Sequence, residues 1–184
     1  MYSKIIFLTQ EELDKLENYT FQSDPLNRVK DCYIFCCYTG LAYREMFELR
    51  KDDLITKPDG ITWIYQKREK TERNFSVPLI LPKALKVISK YSSDNPFVLP
   101  RISNQSFNRL LKEIASTLEI SKNLTHHTAR KTFASTVLLN NDIPIEVVSK
   151  LLGHSKISTT QEYYAELMPE KLSENLKKLK DRLK

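Results

Sequence analysis

The sequence has few glycines and cysteines and no long hydrophobic run. Only 3 of its 184 residues are glycine, which favours tightly packed helices over a loop-rich β fold. Its 3 cysteines, Cys32, Cys36 and Cys37, are odd in number and crowd into one apolar segment. This pattern argues against a disulfide framework and favours buried free thiols in a reducing compartment. A zinc site is the alternative, but zinc ligands usually come in short-spaced pairs from two segments.

The chain also lacks the signals that direct a protein into or across a membrane. No apolar run approaches bilayer length, and residues 1–8 hold too short an apolar stretch for a signal peptide. We therefore expect a cytoplasmic protein. A length of 184 residues with 41% hydrophobic residues suits one domain with a sizeable core.

The charge balance is basic. A formal net charge of +6 and an isoelectric point of about 9.1 indicate an anionic partner. For a basic domain of this kind the usual partner is nucleic acid.

Helical signals occupy most of the chain. Thr9 and Glu12 have the spacing of a capping box, which predicts a helix from there to about Tyr19. Apolar spacing, with proline at starts and glycine or asparagine at ends, predicts further helices. They cover about 25–38, 43–49, 82–91, 104–118, 124–140, 144–152, 157–167 and 170–184.

One stretch has strand character instead. Residues 61–65 and 75–77 are rich in β-branched and aromatic residues, and a charged connection joins them. This predicts a small antiparallel hairpin, with a third strand around 53–56 and with Pro78 and Pro82 closing it. The predicted fold is therefore mainly α with a small antiparallel β-sheet, an α+β domain.

The residues with chemical potential lie in the second half of the chain. His127 and Arg130 are three positions apart and so share one face of a helix. His154 and Tyr163 follow from two further helical segments. Together they make a phenol nucleophile with cationic and hydrogen-bonding partners and no carboxylate. Such a set suits attack on a phosphodiester, where arginine can grip two non-bridging oxygens at once.

Several short motifs resemble the catalytic domain of tyrosine recombinases, also called phage-type integrases. In chain order they are Tyr38-Thr39-Gly40-Leu41, Lys70-Thr71 with Val77-Pro78-Leu79, His127-Thr128-Ala129-Arg130, Leu152-Gly153-His154-Ser155 and Thr159-Thr160-Gln161-Glu162-Tyr163. One motif alone would be weak evidence, but several in the family's order identify the chain as a member. The resemblance implies the integrase catalytic-domain fold over residues 1–184.

The resemblance implies that Tyr163 is the nucleophile, which attacks phosphorus to give a covalent phosphotyrosine. Tyr164 is the rival, but adjacent helical residues diverge by about 100° and only one can face the phosphate. Tyr163 lies nine positions after His154, the separation usual in the family, and this favours it over Tyr164.

The other roles also come from the resemblance. Arg130 would clamp the phosphate, His127 would position it or accept the tyrosine proton, and His154 would hydrogen-bond a phosphate oxygen. Lys70 would be the general acid for the leaving DNA oxygen. Considered singly, each could be an ordinary ion pair, helix cap or solvated charge. His126 is predicted to be a surface or helix-start residue. The predicted DNA-binding cations are Lys67, Arg68, Arg73 and Lys131.

Two positions depart from the family pattern. The residue after Thr-Gly-Leu is normally the first catalytic arginine, and here it is Ala42. Arg44 is close in sequence, but two positions along a helix turn a side chain to roughly the opposite face, so the role does not simply transfer. Lys131 replaces a histidine and keeps a cation there.

The implied function is site-specific DNA recombination by two transesterifications, with no metal or nucleotide cofactor. The implied partner is double-stranded DNA, held by a homotetramer on paired sites. The family's core-binding domain is expected to be absent from this chain. Residues 169–184 are expected to form a C-terminal helix that docks on a neighbouring subunit, with packing on its own domain left open. Type IB topoisomerase-like relaxation and a catalytically impaired DNA-binding relic are the alternative functions.

Overall fold

The predicted mixture of helices and one small sheet is confirmed. A computed structural model describes residues 5–67, 74–91 and 94–183, with the side chains of 164, 166–170 and 175 outside the description. The α-helices of the described residues are α1 (Gln10–Asn18), α2 (Asp24–Thr39), α3 (Tyr43–Glu48), α4 (Pro82–Lys90), α5 (Asn104–Thr117), α6 (His126–Thr132), α7 (Ile145–Leu152) and α8 (Ser158–Arg182). A short 3₁₀ helix, Lys51–Asp53, precedes the first strand. The strands are β1 (Leu54–Thr56), β2 (Thr62–Lys67) and β3 (Asn74–Leu79). None of these helices combines the length and apolar character needed to cross a membrane.

Helix α2 is the centre of the core. Its predicted apolar face, Val29, Cys32, Tyr33, Cys36 and Cys37, is almost completely buried. The helix packs against α4, α5 and α6. All three thiols are free and buried, and burial raises the pKa of Cys32 to about 12. The cysteines therefore act as small apolar core residues, as predicted.

The N-terminal segment is attached to the helix that carries the candidate site. The predicted capping box is present: the Glu12 amide donates to Thr9 Oγ1, and the Thr9 amide donates to Glu12 Oε2 over 2.8 Å. Just before it, the Leu8 amide donates to Thr132 Oγ1 over 2.9 Å. The Thr136 hydroxyl donates to the Leu8 carbonyl. These bonds fix α6 and its continuation against α1.

The sheet has the order β1-β2-β3 with antiparallel pairing throughout. In the register of β2 and β3, Lys67 pairs with Asn74 and Trp63 pairs with Pro78. The prediction that Pro78 closes the hairpin is therefore wrong, because Pro78 lies inside β3. Within the described sheet β3 is an edge strand, where a residue without an N–H is tolerated.

The predicted helix over 124–140 is not uniform. Helix α6 continues into a π-helical segment, Phe133–Leu138, and then into a short 3₁₀ turn, Leu139–Asn141. Asp142 ends the run with φ of 60°, a left-handed conformation that aspartate adopts more readily than most residues. A π segment widens the helix locally, and such segments are frequent at functional sites.

The predicted break at Pro169 is also wrong, because α8 is continuous from Ser158 to Arg182. A proline in a helix lacks one backbone donor and weakens the helix locally, so tertiary contacts of the helix must offset that loss. Thr160 is fully buried before the proline. After it, buried Lys171 pairs with Asp142 over 2.5 Å.

The leucine stripe of the last helix is exposed. Its members, Leu172, Leu176, Leu179 and Leu183, are between 48% and 78% accessible. Such exposure does not favour packing of this stripe on its own domain. Docking on a neighbouring subunit stays a prediction.

Candidate active site

Helix α6 presents His127 and Arg130 and is fixed firmly to the core. Thr128 is buried at its N-terminal end, where its hydroxyl donates to the Thr125 carbonyl over 2.7 Å. The Tyr33 hydroxyl of α2 lies 2.7 Å from the same Thr128 oxygen. Because Thr128 lies between His127 and Arg130 in sequence, this anchor limits the motion of both.

The Arg130 side chain joins three parts of the fold. Its Nη1 donates to the Gly40 carbonyl over 2.5 Å, and its Nη2 donates to the Leu152 carbonyl. Glu45 Oε2 lies 3.9 Å from Nη1. The side chain is only 17% accessible, so its charge sits in a partly desolvated position where electrostatic interactions are stronger than in water. It links the turn after α2 to the end of α7.

His154 is positioned by the end of α7 and by α8. Gly153 ends α7 with φ of 60°, and the His154 amide donates to the Ser149 carbonyl over 3.0 Å. His154 Nδ1 lies 2.8 Å from the Thr160 hydroxyl oxygen. Since Thr160 is fully buried, the contact restricts the orientation of the imidazole. The sequence placed Thr160 in a motif but gave no indication of this role.

Tyr163 lies on the first turns of α8, partly buried against the cluster that contains Phe133. Its ring is stacked near that of His154, with 6.2 Å between centroids and 22° between planes. Burial raises the pKa of the Tyr163 phenol, and the positive charge of Arg130 opposes part of that rise. A proton acceptor is therefore needed to make the phenol a nucleophile near neutral pH. The side chain of Tyr164 lies outside the description, so the preference for Tyr163 stays a prediction.

His127 is more exposed than His126, and its pKa is lowered. Burial contributes most to this lowering, followed by the charges of Lys131 and Arg130. A neutral imidazole near pH 7 can accept a proton or a hydrogen bond, which suits its predicted role. His126 is the first residue of α6, as predicted, and its ring lies 4.0 Å from that of His127.

A cleft of about 1150 Å³ opens beside this helix. Of the predicted site residues, it brings together Lys67, His127 and Arg130. Ala42 lines the same cleft, and so do two arginines that no motif predicts, Arg50 and Arg101. His154 and Tyr163 are not among its described lining residues. Arg130 connects the cleft residues with His154 and Tyr163, since it contacts the end of α7 and its charge opposes the rise in the pKa of the Tyr163 phenol.

The remaining predicted residues are divided between the described and undescribed parts of the chain. Lys70, Arg68 and Arg73 lie outside the described residues, so their roles stay predictions. Lys131 is half-buried on α6, close enough to His127 to affect its pKa.

The substituted position, Ala42, immediately precedes α3. Its amide donates to Glu45 Oε2 over 2.8 Å, so this carboxylate caps the helix while it faces Arg130. Arg44 also lines the cleft, but its Nε is paired with Glu48 at 3.3 Å. This pair lies on the surface, with Arg44 65% accessible, which agrees with the prediction that the arginine role does not simply pass to Arg44.

Known proteins match this chain in sequence and in fold. The phage integrase family profile matches residues 6–170. A tyrosine recombinase XerD from Halalkalibacterium halodurans is 32% identical over 169 residues, covering 85% of this chain and 56% of the relative. A tyrosine recombinase from Thermosipho africanus is 29% identical over 164 residues, with the same coverage. The chain thus spans little more than half the length of these relatives.

Solved structures agree on the fold. The XerH recombinase bound to its palindromic difH substrate has a TM-score of 0.73 and 18% identity, covering 94% of this chain and 52% of that one. The catalytic domain of bacteriophage HP1 integrase has a TM-score of 0.65 and 22% identity, covering 89% of both chains. At these identities the structural likeness supports the fold alone. The profile match over most of the chain shows that this protein belongs to the phage integrase family, whose curated members matched here are tyrosine recombinases.

Proposed function

We propose that this chain is the catalytic domain of a site-specific recombinase that cuts and rejoins double-stranded DNA through a phosphotyrosine. The position of Arg130 carries the proposal. It lines the basic cleft and also contacts the end of α7, next to His154, and its charge acts on the Tyr163 phenol. A phosphate bound at Arg130 could therefore contact the residues of the cleft as well as His154 and Tyr163.

In the proposed reaction the Tyr163 oxygen forms a bond to phosphorus, and the bond from phosphorus to the leaving DNA oxygen breaks. The phenol proton passes to His127, while Lys70 protonates the leaving oxygen to give a free DNA hydroxyl. Arg130 and His154 hold the non-bridging oxygens, where charge builds up in the transition state. Attack of a DNA hydroxyl on the phosphotyrosine then reverses these bond changes and restores the phenol. The bond energy is conserved, so the chemistry requires no nucleotide.

The proposed partners follow from the same cleft. Lys67 lines the cleft, and we propose that it contacts the phosphates of a duplex together with Lys131, Arg68 and Arg73, which the sequence predicts as DNA-binding cations. We propose that the full-length protein assembles as a tetramer on paired sites. The exposed leucine stripe of α8 would then be covered by a neighbouring subunit, which would remove apolar side chains from water.

A covalent-adduct assay tests the proposed chemistry. The chain is incubated with a nicked duplex taken from the DNA that flanks its own gene, and the products are separated on a denaturing gel. We expect a protein–DNA adduct that is lost in Tyr163→Phe and retained in Tyr164→Phe. Tyr19→Phe is the matched control, because it removes a phenol oxygen from an exposed ring outside the sequence motifs.

The alternatives predict different gels. An adduct that persists in Tyr163→Phe would refute the nucleophile assignment. Binding without an adduct, by contrast, would favour the impaired DNA-binding relic, for which Ala42 is the specific observation. Ala42→Arg would then be expected to restore an adduct. The matched relatives are recombinases and integrases, which does not favour topoisomerase-like relaxation.

A further inference from the structure

The cleft contains an arginine that contacts two aromatic rings. The Arg101 guanidinium carbon lies 4.1 Å from the Phe47 ring centroid and 4.2 Å from that of Phe97. Arg50 approaches Phe97 as well, at 5.3 Å. Cations within about 6 Å of an aromatic centroid are attracted by the ring. Two such contacts limit the motion of the Arg101 guanidinium.

The backbone builds this arrangement from distant segments. The Lys51 amide donates to the Pro96 carbonyl over 2.9 Å, and the Val98 amide donates to the Leu49 carbonyl over 3.0 Å. These bonds fix Phe97 beside the end of α3. The Tyr43 hydroxyl donates to the carbonyl of Ile102, the residue after Arg101, over 2.5 Å. The arginine is therefore positioned before any ligand arrives.

The donors of Arg101 are not taken up by the acidic residues of the cleft. Glu48 pairs with Arg44, and Glu45 faces Arg130 and caps α3. Asp53 accepts from the Arg50 amide over 2.8 Å and from the Gln66 side chain over 3.2 Å. Within the part of the chain that the structure describes, Arg101 has no carboxylate partner. A guanidinium that lies against aromatic rings has five N–H donors, and those that no carboxylate uses are available to an anion.

We infer that Arg101 is a positioning residue that binds a backbone phosphate of the DNA held in this cleft. The inference rests on the proposed function, since it takes DNA as the ligand of the cleft. It adds a contact outside the family motifs, from a segment of the chain separate from the hairpin. Phe47 and Phe97 hold the guanidinium in place, so little side-chain freedom is lost when the phosphate binds.

The salt dependence of DNA binding tests this inference. Affinity of the Tyr163→Phe protein for a mixed-sequence duplex is measured over a range of salt concentrations, by anisotropy. Each phosphate neutralised contributes about 0.9 to the slope of log K against log salt. We therefore expect Arg101→Ala to lower the slope by about 0.9, with a several-fold loss of affinity. Arg101→Lys keeps the charge and should keep most of the slope.

Two further variants serve as controls. Arg109→Ala makes the same charge change at an exposed position on α5 that does not line the cleft, and its slope should match the parent. Phe97→Leu keeps the charge of Arg101 but removes one stacking face. It should weaken binding roughly 2- to 10-fold at every salt concentration with little change in slope.

The outcomes separate this inference from the proposed function. Equal slopes for Arg101→Ala and the parent, with circular dichroism showing an intact fold, would mean that the stack is only structural and would overturn the inference. Equal slope losses for Arg101→Ala and Arg109→Ala would overturn it too, because the effect would be one of net charge. The covalent-adduct assay reports on Tyr163 independently of either result.

Discussion

Gly40 packs against the core residue Phe133 and binds Arg130 of the candidate site, and its replacement by alanine should lower the free energy of unfolding. Gly40 ends α2 with φ of 70°, a conformation that costs a non-glycine residue about 1–2 kcal/mol. A Cβ there would come within 2.4 Å of Phe133 Cδ1 and 2.8 Å of Cε1. Phe133 is almost fully buried, so it cannot swing into solvent. Overpacking of this kind costs about 1–3 kcal/mol, and Gly40→Ala should lose about 2–5 kcal/mol in total.

Gly60→Ala is the matched control. Gly60 has φ of 80°, but a Cβ there meets nothing within 4 Å. It should therefore lose only the conformational part, about 1–2 kcal/mol. Urea unfolding of both variants, followed by circular dichroism, gives the two free energies of unfolding.

The difference between the two glycine variants isolates the clash with Phe133. If both lost the same free energy, the close approach of Gly40 to Phe133 would be refuted. The Gly40 carbonyl also accepts a hydrogen bond from Arg130. Gly40→Ala should therefore reduce the adduct rate at temperatures where the protein is still folded, whereas Gly60→Ala should leave the rate unchanged.

Two further predictions concern the histidines. Thr160→Val removes the hydroxyl that contacts His154 Nδ1, and the single-turnover rate of adduct formation should fall roughly 2- to 10-fold; an unchanged rate would show that this contact does not orient the imidazole. Because the pKa of His127 is lowered below the ordinary 6.5, the adduct rate should be insensitive to its titration above pH 6.5 and should fall as the pH drops through the lowered value. Lys131→Gln removes one of the cations that lower the pKa of His127, so the acid limb of the pH–rate profile should move to higher pH. An acid limb at an unchanged pH would contradict its assignment to His127.

Local signals in the sequence predicted most of the fold. The Thr9–Glu12 capping box, the apolar face of α2 and the glycine at the end of α7 each depend on neighbours a few residues apart. The failures occurred where distant contacts outweigh local preference. Pro169 predicted a break, but Thr160 and Lys171 anchor α8 to the rest of the domain on either side of it. Pro78 lies in an edge strand that accommodates it.

The candidate site was predictable only where a motif marks it. His127 and Arg130 share a helix face because of their spacing, and the sequence predicted this directly. The contact between Thr160 and His154 spans six positions and runs from the loop after α7 into α8, which leaves no simple periodic signal. The Arg101 stack unites Phe47, Phe97 and Arg101, and only the backbone pairing of residues 49–51 with 96–98 brings them together. No spacing rule could have indicated it.

The two carbonyl groups that hold Arg130 have a consequence for variation of the chain. A carbonyl oxygen is the same whichever side chain the residue carries, so the anchors at positions 40 and 152 depend on backbone path alone. Gly40 must stay glycine for its conformation, but Ala42 and Tyr43 beside it are not needed as acceptors for Arg130. The side chains around the cleft can therefore vary without removing these two acceptors, and the Arg130 guanidinium keeps its place.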